Sequence, residues 1–134
     1  MRPAPARVGV TLNGHSEKQL VRLTDAELGE MVRQHALFRQ SLGGRRAVLS
    51  GCDLSGSSLS GLDLSHGDFT GSSFLGADLH GARFDCATLF ACDFRQANLE
   101  NVSMAHADLR GCFFAGAMMA GANLFEADLR PGAI

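Results

Sequence analysis

The sequence predicts an all-β solenoid, a rod of short stacked strands, with one α-helix at its N-terminal end. Three observations predict it. From Leu49 to Leu129 a Leu, Phe or Met stands at every fifth residue, seventeen times without a break. Two residues before each of these centres stands a small or modest side chain, as in Ala47, Cys52, Ala77, Ala82, Cys92, Ala97 and Ala107. Directly before the first unit lies a single stretch with helical spacing. A period of five fits neither the 3.6-residue helix nor the 2-residue strand. Short fixed periods belong to units that bury their apolar side only by stacking on one another.

The elements follow in order. Residues 1–23 read as an arm, in which Val8, Val10 and Leu12 alternate before an Asn13-Gly14 turn and Leu20 to Leu23 supply a partner strand. The first seven residues lack the apolar core of a signal peptide, so a cytoplasmic location is expected. Residues 24–44 read as a helix. Thr24 and Glu27 form a capping box, and Leu23 against Leu28 a hydrophobic staple. Leu28, Met31, Val32, His35, Phe38 and Leu42 keep helical spacing, and Gly43-Gly44 is the expected stop. Such a helix would cover the apolar end of the first coil, with His35 as a hydrogen-bonded cap residue rather than a ligand or base. Residues 45–134 hold the repeats. Asp or Asn commonly precedes a centre and is expected to face water; Gly ends many units, where a corner needs a permissive backbone. No second helix follows Leu129, which leaves two alternatives: an end-to-end homodimer through the last coil, or a chain that is a piece of a longer protein. The 134 residues form one domain by the usual prior, and no apolar run approaches the ~18 residues of a membrane span.

Units such as Ala77-Asp78-Leu79-His80-Gly81, Ala97-Asn98-Leu99, Ala107-Asp108-Leu109-Arg110-Gly111 and Ala122-Asn123-Leu124 resemble the pentapeptide-repeat proteins, whose consensus is A(D/N)LXX. The resemblance covers residues 47–131 and extends to the histidine-bearing helix before them. It implies a right-handed quadrilateral β-helix with four pentapeptides per coil, hence a little over four coils and a rod roughly 20 Å long. It also implies two functions. The first is a rigid, non-catalytic protein–protein interaction scaffold; the alternative is a DNA mimic that modulates a type II topoisomerase such as gyrase. Residues 1–46 carry a net +4 and residues 47–134 a net −6. Duplex DNA carries roughly 12 charges over 20 Å, twice the acidity of this rod, so the scaffold is the stronger expectation. An unidentified protein is the expected partner, with no direct nucleic-acid binding.

Neither catalysis nor a cofactor is expected, since no P-loop, dinucleotide turn, GxSxG or HExxH is present. With twenty residues to a coil, one corner column reads His66, Cys86, His106, Glu126. These are ligand types, yet a straight ladder is a poor tetrahedron, so no metal is expected. Cys52, Cys92 and Cys112 fall at inward positions of one side. Cys92 and Cys112 would be stacked neighbours within disulfide range, kept reduced in a cytoplasmic setting. Large apolar residues at outward positions are the candidate contact surface: Leu75, Phe90 and Phe125 after a centre, Phe113 and Met118 before one. A competing expectation has the arm 1–23 folding back over some of them.

Overall fold

A computed structural model of the chain describes residues 6–8, 11–12, 15–16 and 19–132. Parallel bridges join Val48 to Asp68, Asp53 to Ser73, Ser58 to Asp78 and Asp63 to Arg83, and continue with the same step of twenty to Asp108 and Asp128. Four pentapeptides therefore make one turn of the solenoid, and the rod has four sides centred on Leu49, Leu54, Leu59 and Leu64. Every centre from Leu54 to Leu109 is at most 2% exposed, and the small residues two before them close the core. On the second side Phe74, Phe94 and Phe114 stack nearly parallel, 5.0 and 5.5 Å between ring centroids. Phe69 from the adjacent first side and Phe84 from the opposite fourth side meet Phe74 edge-on.

The five-residue unit is explained by its amides. The centre and the residue two after it donate to carbonyls nineteen residues on, as Leu54 does to Ser73 and Gly56 to Leu75. The residue before the centre donates to the preceding coil, as Ser73 does to Cys52. The residue two before the next centre closes the corner, as Ser57 does to Leu54. Only the amide after the centre has no backbone acceptor in this scheme. The Asp or Asn two residues earlier fills that vacancy: the amides of Ser55, Thr70, His80, Arg95, Glu100 and Arg110 donate to Asp53, Asp68, Asp78, Asp93, Asn98 and Asp108. These side chains thus turn back on their own unit instead of simply facing water, which is why short Asx residues recur there.

Each corner needs positive φ, and Gly supplies it at nine of them, from Gly51 to Gly121. His66, Cys86, Ala91, Gln96, Asn101, His106 and Glu126 adopt the same conformation without being glycine. A left-handed non-glycine residue costs roughly 1–2 kcal/mol, of which Gly gives back part as chain entropy. Replacing exposed Ala91 (φ 58°) by Gly is therefore expected to stabilise the protein by about 0.5–1 kcal/mol, read from the denaturant midpoint.

Before the solenoid come β1 (Ala6–Val8), β2 (Thr11–Leu12), β3 (His15–Ser16), β4 (Leu20–Arg22) and α1 (Asp25–Arg39). β2 pairs antiparallel with β3, and β1 with β4. The expected turn at Asn13-Gly14, and Val10, lie outside the described residues. β4 then pairs in parallel with β5 (Cys52–Asp53), so it extends the second side of the rod by one strand. Arg22 reinforces this with a 3.3 Å ion pair to Asp53. The described part of the arm thus meets the first coil, not the distant side chains it was expected to cover.

Thr24 caps α1 with a complete capping box: its hydroxyl accepts from the Glu27 amide, and Glu27 accepts from the Thr24 amide. Leu23, Leu28 and Met31 pack against the core, and Arg39 pairs with Asp63 at 3.3 Å. The helix ends at Arg39, earlier than Gly43-Gly44. Ser41 takes a left-handed φ of 59° and the Leu42 amide reaches back to the Leu37 carbonyl, so the chain unwinds in a tight turn. Leu42, expected on the apolar stripe, is 63% exposed as a result.

Candidate protein-contact surface

The five expected contact residues do not form one patch. Phe113 and Met118 sit on adjacent sides of the last coil, 60% and 51% exposed, with Ala115 and Gly116 between them. Leu75 stands two coils earlier on the side of Phe113, and a shallow depression lined by Leu75, Arg95, Gln96, Ala115 and Gly116 fills the interval. Phe125 is equally exposed but lies two sides away from Phe113, with its ring edge-on to His106 at 5.5 Å. Phe90, expected to be exposed, is half-buried. The Arg110 guanidinium twenty residues on covers its ring at 5.1 Å, a cation–π contact that only the coil geometry creates.

Phe113 and Met118 occupy the one outward position where the fold rewards Asp or Asn. Their units contain no side-chain acceptor for the amides of Ala115 and Ala120, and among the described residues those amides have no partner. The chain thus gives up a local hydrogen bond twice on one coil and places large apolar groups in water instead. A local rule broken without gain inside the fold is the kind of departure that marks a contact surface. The inward residues of the same coil, Phe114, Met119 and Leu124, are only partly buried, so the apolar collar continues onto the end of the rod.

The rod's charge is largely neutralised where it stands. Of the ten acidic residues in 47–134, six pair with an arginine: Asp53 with Arg22, Asp63 with Arg39, Asp85 with Arg83, Asp93 with Arg95, Asp108 with Arg110 and Asp128 with Arg130, at 2.7–3.3 Å. Burial opposes ionisation of Asp93, but the Arg95 side chain and amide outweigh it and hold its pKa below the ordinary value. Arg130 draws Asp128 down to about 2. Exposed pairs of this kind add little stability. Their consequence is electrostatic, for they break an acidic rod into short dipoles.

The corner column of His66, Cys86, His106 and Glu126 is exposed along its length, and His106 approaches Glu126 to 3.7 Å. Among the described residues no group of three or more His, Cys, Asp or Glu is arranged to hold a metal ion. The inward thiols are packing groups. Cys92 and Cys112 donate to the carbonyls of Phe69 and Leu89 at 3.0 and 2.9 Å, and burial pushes the first up and the second up to about 12. Both are free thiols. No helix among the described residues is long and apolar enough to cross a membrane.

A family model for pentapeptide repeats matches eight copies, over residues 47–85, 57–96 and 92–130. No curated protein matches. Among solved structures, the chain is 28% identical, at a TM-score of 0.61, to HetL, a pentapeptide repeat protein involved in heterocyst differentiation regulation in Nostoc sp. strain PCC 7120; the match covers 69% of this chain and 44% of HetL. It is 29% identical, at a TM-score of 0.52, to a pentapeptide repeat protein of the Arabidopsis thaliana thylakoid lumen, covering 62% of this chain and 61% of that one. The chain thus spans less than two thirds of the length of either.

Proposed function

The chain belongs to the pentapeptide-repeat family, and from that premise we propose that it is a rigid, non-catalytic scaffold that binds another protein through the apolar collar of its last coil. The supporting fold is a closed right-handed quadrilateral β-helix with α1 as its N-terminal cap; the twenty-residue bridges and the seat of α1 on the first coil favour it. One observation carries the functional reading. Phe113 and Met118 stand exposed at positions where Asp or Asn would satisfy a backbone amide. The partner that fits is a protein surface with its own apolar anchor and little net charge, since Arg95, which lines the adjoining depression, is already held by Asp93. A rigid rod loses little conformational freedom on binding, so a small collar suffices for a specific contact.

The acidic alternative is weaker. A mimic of duplex DNA needs a continuous negative face, whereas most of the rod's carboxylates are matched by arginines.

The test compares the wild-type chain with a Phe113→Ser, Met118→Ser double variant as immobilised bait. Both substitutions are outward, so the far-ultraviolet circular dichroism is expected to stay unchanged. A protein held by the wild type and lost at least tenfold from the variant supports the collar. Equal retention by both rejects it, and salt-sensitive recovery of type II topoisomerase subunits by both returns the alternative to first place.

A further inference from the structure

His35 is the one fully buried titratable side chain of α1, and it belongs to two elements at once. Its ring is 0% exposed. Nδ1 lies 2.9 Å from the Ala47 amide, and Nε2 lies 2.9 Å from the Ser65 carbonyl. An amide only donates and a carbonyl only accepts, so the ring is the neutral tautomer: Nδ1 accepts from Ala47 and Nε2–H donates to Ser65. Ala47 opens the first coil and Ser65 nearly closes it. One imidazole therefore ties α1 to both ends of a single turn.

We propose that this arrangement makes the seat of α1 acid-labile: a proton taken from solvent onto Nδ1 of His35 removes the acceptor of the Ala47 amide, and α1 leaves the first coil while the later coils stay folded. The protonated ring would set N–H against N–H at 2.9 Å, and a buried charge would replace a satisfied neutral group. The surroundings do not rescue that charge. From the linker, Arg46 faces the ring, its guanidinium tied to the His66 carbonyl at 3.1 Å. From the helix itself comes Arg39, and from the first coil Asp63, with exposed His66 next to Ser65 along the chain. Among the described residues the Ser65 carbonyl and the Asp63 carboxylate favour the charged ring, but Arg39 already pairs with Asp63 and burial outweighs both. Burial, the dominant cause, leaves the His35 pKa below its ordinary value.

The sign follows from linkage. Below an unfolded pKa of about 6.5 a released His35 binds a proton that the seated one does not, so stability of the seat is full above that pH and falls as the pH drops. The opening equilibrium then rises by up to about tenfold per pH unit until the seated ring itself titrates. Asp63, whose pKa lies below its ordinary value, stays ionised through this window. Detachment would uncover Leu28 and Met31 together with the end of the first coil, a second apolar surface available only in acid.

Hydrogen exchange of the full chain between about pH 7.5 and 5, corrected for intrinsic rates, tests this. The amides of α1 from Met31 to Phe38 and that of Ala47 are the readout, with Leu89 and Leu99 as references. Protection of α1 is expected to fall by five- to tenfold per unit below about pH 6.5 while the references hold. In a His35→Gln variant, which keeps a donor for Ser65 but cannot titrate, that slope is expected to vanish. A flat wild-type profile, an equal slope in the variant, or references that open in step with α1 would overturn the inference. Should the variant fail to fold, nitrogen chemical shifts of the wild-type ring decide: the Nε2–H tautomer persisting well below pH 6.5 supports it, and an ordinary titration near 6.5 rejects it.

Discussion

Phe94→Ala is expected to be the most damaging single truncation in the rod, costing about 3–5 kcal/mol. Phe94 is fully buried and stacks on Phe74 at 5.0 Å above it and on Phe114 at 5.5 Å below, while Phe84 meets it edge-on at 6.5 Å. Removing the ring opens a cavity in the middle of a ladder whose backbone spacing is set by hydrogen bonds to both neighbouring coils, from Phe94 to Phe113 and from Asp93 to Ser72. The strands cannot close on the void without breaking those bonds, so the cavity persists and the cost stays near the upper end of the range. Denaturant unfolding followed by circular dichroism measures it. A loss below about 1 kcal/mol would show that neighbouring side chains refill the space, against the rigid stacking described here.

Gly44→Ala is expected to do comparable harm by a different route. A Cβ at Gly44 would lie 2.0 Å from the Gln34 carbonyl oxygen, 2.5 Å from Cβ of Leu37 and 2.7 Å from the Phe38 amide nitrogen. Two of the three are backbone, so no rotamer change relieves the clash. The linker must lift off α1, taking with it the hydrogen bond from the Arg45 amide to Gln34 and, two residues on, that from Ala47 to His35. A loss of about 3 kcal/mol is expected, at the upper end for overpacking, because backbone has to move. The measurement is the helical signal at 222 nm and the protection of α1 amides, compared with Gly43→Ala. Gly43 has open space where its Cβ would go and only its φ of 86° to lose, so it separates backbone strain from steric exclusion. Equal effects of the two substitutions would mean that the close approach at Gly44 is not what seats the helix.

Gly44 also shows how far the sequence could be read. The period of five, the inward small residues and the capping box are local or strictly repeated, so each appears in the string of letters itself. They sufficed for a stacked β solenoid with a helix before it, and for the family. Gly43-Gly44 was equally visible as a stop, yet only the folded chain shows the helix ending four residues earlier and Gly44 serving a close approach. The role of the recurrent Asp and Asn was legible as polarity but not as bonding. Which amide lacks a backbone acceptor is known only once the coil-to-coil register is in place.

The candidate surface divides in the same way. Leu75, Phe90, Phe113, Met118 and Phe125 were all visible as large apolar residues in outward slots, because a five-residue register sorts inward from outward without coordinates. A twenty-residue step lines up columns such as His66, Cys86, His106 and Glu126, but which side chains of neighbouring coils touch is not written in it. Arg110 covering Phe90, His106 against Phe125, and Ala115 and Gly116 joining Leu75 to Phe113 and Met118 all depend on the stacking of one coil on the next. The neutralisation of the acidic rod belongs partly to each level. Pairs such as Asp93 with Arg95 are two residues apart and written in the chain, whereas Arg22 with Asp53 and Arg39 with Asp63 are made by the arm and the helix meeting the first coil. Repetition writes the inside of this protein into its sequence; contacts between coils decide which part of the outside is left uncovered.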